Sequence, residues 1–188
     1  MKSLFFLTLP FIILACTDPA SQVYSNQASL TSEEGLFLDS LLMPKGFQVE
    51  VYGRVDNARS MAMSPDGTLF VGNKANGSVY ALQDRNNDMK ADTLYTIAKD
   101  LIMPNGIAFK DGALYVAEID KLWRYDAIED NLNDPKATLI YNDFPEDSHH
   151  GWKYIAFGPD GKLYVPVGAP CNVCETKDDT SYASIISM

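Results

Sequence analysis

The chain is predicted to be all-β, built from repeated short antiparallel sheets. Three observations predict this. Segments beginning at Ser60 (SMAMSPDGTLFVGN), Gly106 (GIAFKDGALYVAE) and Tyr154 (YIAFGPDGKLYVPVG) can be laid over one another, with Ala62, Ala108 and Ala156 in register. The matched alanines stand 46 and 48 residues apart, close to the roughly 40 to 50 residues of a propeller blade. Helical periodicity is nearly absent, apart from a short turn expected in SEEGLFLDSLL.

Each matched unit reads as a short apolar strand, a turn carrying Asp-Gly, and a second strand of alternating apolar and polar residues. Gly67, Gly112 and Gly161 provide the positive φ that such reversals need. GSVYALQD and DTLYTIAKDL complete a four-stranded sheet after the first unit, and KLWRYDAI and KATLIYNDF do so after the second. SYASIISM follows the third as an outer strand. A propeller ring takes at least about four blades, so residues 33–188 are expected to be about three blades of a larger propeller. A small complete sandwich is the alternative.

With 188 residues, 46% of them apolar and 11% aromatic, the chain can bury an ordinary single-domain core. Acidic residues outnumber basic ones 25 to 15, a formal charge of −10, and no Lys/Arg cluster offers a footprint for phosphate backbones. Nucleic-acid binding is therefore not expected.

Residues 1–16 read as an export signal. Lys2 supplies the positive charge, and the apolar run over residues 4–14 is too short to span a bilayer, which needs about 20 helical residues. The run ends in IILAC, which resembles a bacterial lipobox with Ile13 in place of the usual Leu; Cys16 would become the lipidated mature N-terminus. Residues 17–32 have the polar, turn-rich composition of a tether. The globular body is expected outside the cytoplasm, periplasmic or at the cell surface, held to a membrane by its lipid.

Export bears on the two remaining cysteines, Cys171 and Cys174. A c-type haem would require His where Glu175 stands, and a four-cysteine zinc site lacks its second pair. A short-loop structural disulfide, or two reduced thiols buried in the loop, is expected in preference to redox catalysis.

Residues just before the innermost strand of each blade ring the central funnel of a propeller. Three positions before the matched alanines stand Arg59, Asn105 and Lys153, with His150 and His149 a little further back. Two fixed cations, an amide and an imidazole would suit an anionic ligand with a base beside it. Histidine accepts protons at neutral pH because its unperturbed pKa is near 6.5. The alternative is that both histidines are exposed residues of the polar loop PEDSHHG.

A second constellation is DRNNDMKAD, where Asp84, Asn86, Asp88 and Asp92 occupy positions 1, 3, 5 and 9 of a loop of the kind that wraps Ca²⁺. Met89 stands where such a loop wants Gly, and Tyr95 where it wants Glu. A solvated acidic hairpin loop is the competing reading, and a metal held there would be structural.

From about residue 42 onward the chain resembles the glucose/sorbosone dehydrogenases, particularly their L-sorbosone dehydrogenase-like branch. The resemblance is carried by ARSMAMSPDGTLFVGN, MPNGIAFKDGALYVAEIDKLWRYD and HHGWKYIAFGPDGKLYVPVGAPCNVCE, the last combining the histidine pair, the FGPDG turn and the CNVC loop. It implies a six-bladed propeller using pyrroloquinoline quinone (PQQ) and Ca²⁺ to oxidise a sugar hydroxyl or aldehyde, with electrons passing on to a quinone or cytochrome. It implies a histidine base before the FGPDG strand, on His150 when counted without gaps from Phe157 and on His149 with one gap. Arg59, Asn105 and Lys153 become candidates near the quinone or substrate, the two cations suited to its carboxylates. The family's catalytic calcium ligands come from later blades.

Two other readings share the repeat. Calcium-dependent lactonases are propellers too, and would need Glu118 to point into the funnel. NHL-type propellers serve as binding modules without a histidine at the mouth. The histidine pair ahead of FGPDG favours the dehydrogenase.

Overall fold

The computed structural model describes residues 36, 38, 41–175 and 181–188. The expected export signal with Cys16, the tether and most of SEEGLFLDSLL lie outside the described residues. Among the described residues, no helix is long and apolar enough to cross a membrane.

Among the described residues, eleven strands form three antiparallel sheets. The first contains β1 (Ala58–Met63), β2 (Leu69–Asn73), β3 (Val79–Gln83) and β4 (Thr93–Ala98), in that spatial order. The second repeats the meander with β5 (Gly106–Lys110), β6 (Ala113–Ala117), β7 (Leu122–Tyr125) and β8 (Ala137–Tyr141). The third has β9 (Ala156–Phe157), β10 (Leu163–Val167) and β11 (Ser184–Ser187), with β10 in the middle. The first strands of the sheets touch in sequence, β1 against β5 and β5 against β9, as the inner strands of successive propeller blades do. The all-β, blade-wise fold anticipated from the repeats is the fold observed, with SYASIISM at the outer edge of its sheet.

The first hairpin of each sheet turns where Asp-Gly predicts it, by two different devices. Ser64-Pro65-Asp66-Gly67 closes with a Gly67 N–H to Ser64 O bond of 3.1 Å, and Gly158-Pro159-Asp160-Gly161 with the equivalent bond of 3.0 Å. In both, only the glycine has positive φ, 88° and 81°, which is the type I turn followed by a left-handed residue. In the middle sheet Asp111 and Gly112 are both left-handed, at 51° and 78°, the signature of a two-residue primed turn.

Strand alternation then sends side chains into two separate inter-sheet cores. Phe70, Val79 and Ala81 from the first sheet meet Ile107, Leu114 and Val116 from the second. Ala108, Ala117 and Leu122 from the opposite face of the second meet Ile155, Leu163 and Val165 from the third. Each fully buried aliphatic side chain contributes about 1.5–3 kcal/mol of transfer free energy, so the stacked sheets stabilise one another. The outer face of the first sheet is covered by Tyr52 and Val55, which pack on Val71, Leu82 and Leu94.

The β3–β4 connection contains DRNNDMKAD. Its side chains accept main-chain N–H groups: Met89 to Asp84 at 2.8 Å, Arg85 to Asp92 at 2.7 Å and Lys90 to Asp88 at 2.9 Å. Met89, where the sequence pattern calls for glycine, has φ 67° and is 70% exposed. A side chain in this conformation costs about 1–2 kcal/mol, partly offset by the freedom that glycine gains in the unfolded chain. Met89→Gly is therefore expected to stabilise the protein by about 0.5–1 kcal/mol, read as a higher urea midpoint at unchanged slope. An unchanged or lowered midpoint would mean that the loop carries no such strain.

Candidate cofactor cleft and histidine pair

Strand direction decides which loops share an end of the sheets. The β1–β2, β5–β6 and β9–β10 turns lie at one end, so the segments entering β1, β5 and β9 lie at the other. At that entry end a cleft of about 540 Å³ is lined by Arg59, Ser60, Met61, Asn105, Trp152, Tyr154 and Pro166. The acidic loop between β3 and β4 is at the opposite end, away from the cleft.

Arg59 and Asn105 thus meet on one opening, each contributed by the start of a different sheet. Lys153 does not join them there, which corrects the expectation of a second fixed cation in the funnel. Alternation over the segment entering β9 turns Trp152 and Tyr154 toward the cleft, and buries Gly151, Lys153 and Ile155. Arg59 differs because it shares the exposed face of β1 with Met61 and Met63, whereas Lys153 shares its face with Ile155, which packs against the second sheet.

Lys153 is 1% exposed. Its ammonium donates to Gly151 O at 3.1 Å and stands 5.0 Å from the Phe144 ring centroid, while its carbonyl accepts Asn105 Nδ2 at 2.5 Å. Lys153 therefore pins the histidine loop to the second sheet. Burial pushes its pKa down to about 8, against a smaller opposing pull from Asp120.

His149 and His150 are exposed, and their rings meet edge to face with centroids 4.1 Å apart. Both Nε2 atoms face Asn172 Oδ1, at 3.2 Å from His149 and 2.9 Å from His150. His150 has φ 56°, and a Cβ on Gly168 would lie 2.2 Å from its carbonyl oxygen, so glycine is required where the exit of β10 passes the histidine loop. The pair does not line the cleft directly. The His150 and Trp152 centroids are 6.4 Å apart, and Lys74 Nζ stands over the Trp152 ring, 3.9 Å from its centroid. Cys171 and Cys174 form a disulfide, with Cα atoms 5.8 Å apart, and Asn172 lies within that short ring.

Glu118, the residue a lactonase reading needs in the funnel, is 3% exposed and turned away from it. Its Oε1 accepts Trp123 Nε1 at 2.6 Å and its Oε2 accepts Ile102 N–H, so both oxygens serve the second sheet. No group of three His, Cys, Asp or Glu residues suited to hold a metal occurs among the described residues.

Sequence reading had passed over Trp152, Tyr154, Lys74 and Asn172. Trp152 and Tyr154 were detectable as the alternate residues of the segment that carries Lys153. Lys74 and Asn172 reach the site only through the turns that bring them there, and no local pattern marks them.

This blade-wise architecture, with a polar and aromatic cleft at the entry end of its inner strands, places the chain in the β-propeller class. The chain belongs to the family described as Domain of unknown function (DUF7133), whose model matches residues 33–186. An uncharacterized protein of Borreliella burgdorferi is 26% identical over 161 residues, covering 78% of this chain and 40% of that protein. Among solved structures, the calcium structure of a Trichoderma reesei carbohydrate-active enzyme of family AA12 aligns with TM-score 0.58 and 18% identity, over 70% of this chain and 35% of that one. Its iodide structure aligns at TM-score 0.57 and 19% identity with the same coverage. The holo form of the PQQ domain of a Coprinopsis cinerea pyranose dehydrogenase aligns at 0.53 and 14%, over 62% of this chain and 29% of that one. At these identities the likeness is one of fold. The chain spans well under half the length of each of these proteins.

The depressed pKa of Lys153 has a consequence for stability. Between about pH 8 and the ordinary lysine value of 10.5, the unfolded chain binds the proton and the folded chain does not, so stability rises with pH across this window. Lys153→Met is expected to remove that rise. The measurement is the denaturation midpoint of both proteins from pH 7 to 11, and parallel curves would show that Lys153 does not titrate low.

Proposed function

We propose that the chain carries the cofactor cleft and the base of a quinoprotein oxidoreductase acting on a sugar hydroxyl or aldehyde. The observation that carries this reading is the joining of Arg59, Asn105, Trp152 and Tyr154 in one cleft, with the histidine pair beyond Trp152. Its volume is of the order of small-molecule sites, and its donor set suits a flat polyanion such as PQQ. Arg59 would bind a carboxylate, Asn105 lies at the cleft wall, and Trp152 and Tyr154 offer aromatic surface. When bound, PQQ supplies a two-electron acceptor for hydride removed from the sugar carbon. His150 takes the proton of the substrate hydroxyl, with His149 packed against its ring. Trp152 lines the cleft with its ring centroid 6.4 Å from that of His150, and Lys153, from inside, holds the loop that carries both. The fold likeness to a PQQ domain and to a carbohydrate-active enzyme supports the same reading.

Calcium, which the sequence resemblance implies, has no three-membered ligand group at the cleft among the described residues. The electron acceptor is a quinone or cytochrome. Export and anchoring through Cys16 belong to the same proposal, and the disulfide is in keeping with an oxidising compartment.

Two measurements test this. PQQ titrated into the protein should quench its tryptophan fluorescence, and Arg59→Ala should weaken that binding by about ten-fold or more, the worth of a charge-assisted hydrogen bond. Full-length protein given PQQ, Ca²⁺ and an artificial electron acceptor should oxidise one or more of a panel of aldoses and sorbosone. His150→Ala should lower that rate by about 100-fold or more while PQQ still binds. Absence of PQQ-dependent turnover in the unmutated protein would overturn the reading.

A further inference from the structure

We infer that Asn172 is a positioning residue that fixes which nitrogen of His149 and His150 carries the hydrogen, and that the Cys171–Cys174 disulfide holds it in place, so that the pair responds to thiol reduction. Its functional meaning rests on the reading of His150 as the base. An amide carbonyl oxygen can only accept hydrogen bonds, and it has two lone pairs. Asn172 Oδ1 faces two Nε2 atoms at 2.9 and 3.2 Å. Both rings, when neutral, therefore carry their hydrogen on Nε2, and the bare, basic nitrogen of each is Nδ1. The atom of His150 that accepts a substrate proton is then Nδ1, and a substrate must approach that edge of the ring.

Adjacent residues do not ordinarily aim the same atom at one point. Here the left-handed backbone of His150, φ 56°, turns the chain between them and leaves the rings edge to face at 4.1 Å. The acceptor arrives from another segment, after β10, and that exit runs so close to His150 that Gly168 could carry no side chain. Asn172 itself is exposed, as are both histidines. Hydrogen bonds among exposed groups add about 1 kcal/mol or less to stability, so what the arrangement chiefly provides is the location of a proton. What restrains Asn172 is the short ring closed by the disulfide around it. A dithiol reductant would deliver two electrons and two protons, cleaving the Cys171 Sγ–Cys174 Sγ bond to two thiols while itself becoming a disulfide. With the ring open, Asn172 is released and each imidazole redistributes its hydrogen between Nδ1 and Nε2.

Since the chain has only two histidines, ¹⁵N-histidine labelling followed by long-range ¹H–¹⁵N correlation at mildly alkaline pH reports both rings directly. In the oxidised protein both should show the Nε2–H pattern. In Asn172→Ala the two nitrogen shifts of each ring should move toward one another as the tautomers average, and Asn172→Asp, which keeps an acceptor oxygen, should retain the original pattern. Reduction by a dithiol, and the double variant Cys171→Ser with Cys174→Ser, should each reproduce the alanine result with the circular dichroism spectrum unchanged. A wild-type ring in the Nδ1–H form, or an Asn172→Ala spectrum identical to wild type, would overturn the role of Asn172. A wild-type pattern that survives in a protein with two free thiols, or in the double serine variant, would overturn the role of the disulfide. The readout uses neither PQQ nor sugar, so a failure of the dehydrogenase reading leaves it unaffected and the reverse holds too.

Discussion

The cleft rests on a middle sheet that is apolar on both faces. A strand presents alternate residues to opposite sides, and in the middle sheet both sides find a partner: Leu114 and Val116 enter one core, Ala117 and Leu122 the other. Stacking of this kind holds the entry segments of β1, β5 and β9 side by side, and their side chains become the walls of a cleft. The same alternation that builds the cores also selects which residues reach the cleft. Trp152 and Tyr154 face it because Ile155 and Lys153 are committed to the interior.

That constraint explains how a buried lysine comes to lie so near a polar opening. Lys153 occupies a core-facing position and keeps its ammonium against Gly151 O and the Phe144 ring. Its backbone carbonyl, meanwhile, accepts the side chain of Asn105. The third sheet's histidine loop is thereby tied to the second sheet's cleft wall, and the histidines are exposed on it. Glu118 is a parallel case on the second sheet, a buried charged residue whose oxygens fasten Ile102 and Trp123.

Much of the fold was legible because its signals are local. The Asp-Gly turns and the alternating strands each lie within a dozen residues, the matched alanines repeat that unit 46 and 48 residues on, and the three sheets appear where those signals stand. Arg59 and Asn105 were reached by the same reasoning, carried from one repeat to the next. It failed at Lys153, whose face packs against the second sheet, while its counterpart Arg59 lies on the exposed face of β1 with Met61 and Met63. The acidic loop has oxygen-bearing residues at positions 1, 3, 5 and 9 but departs from a calcium loop at Met89 and Tyr95, and strand direction sets it at the end remote from the cleft.

Sequence alone was enough for the all-β class, the number of sheets described and the turn positions. These follow from periodicity and turn chemistry, which act over a few residues. Only the tertiary structure decided that Asn172 reaches both imidazoles, that Lys74 lies over Trp152, and that Lys153 is interior. Each of those depends on where separate hairpins end once their faces have packed, and no short stretch of chain carries that information.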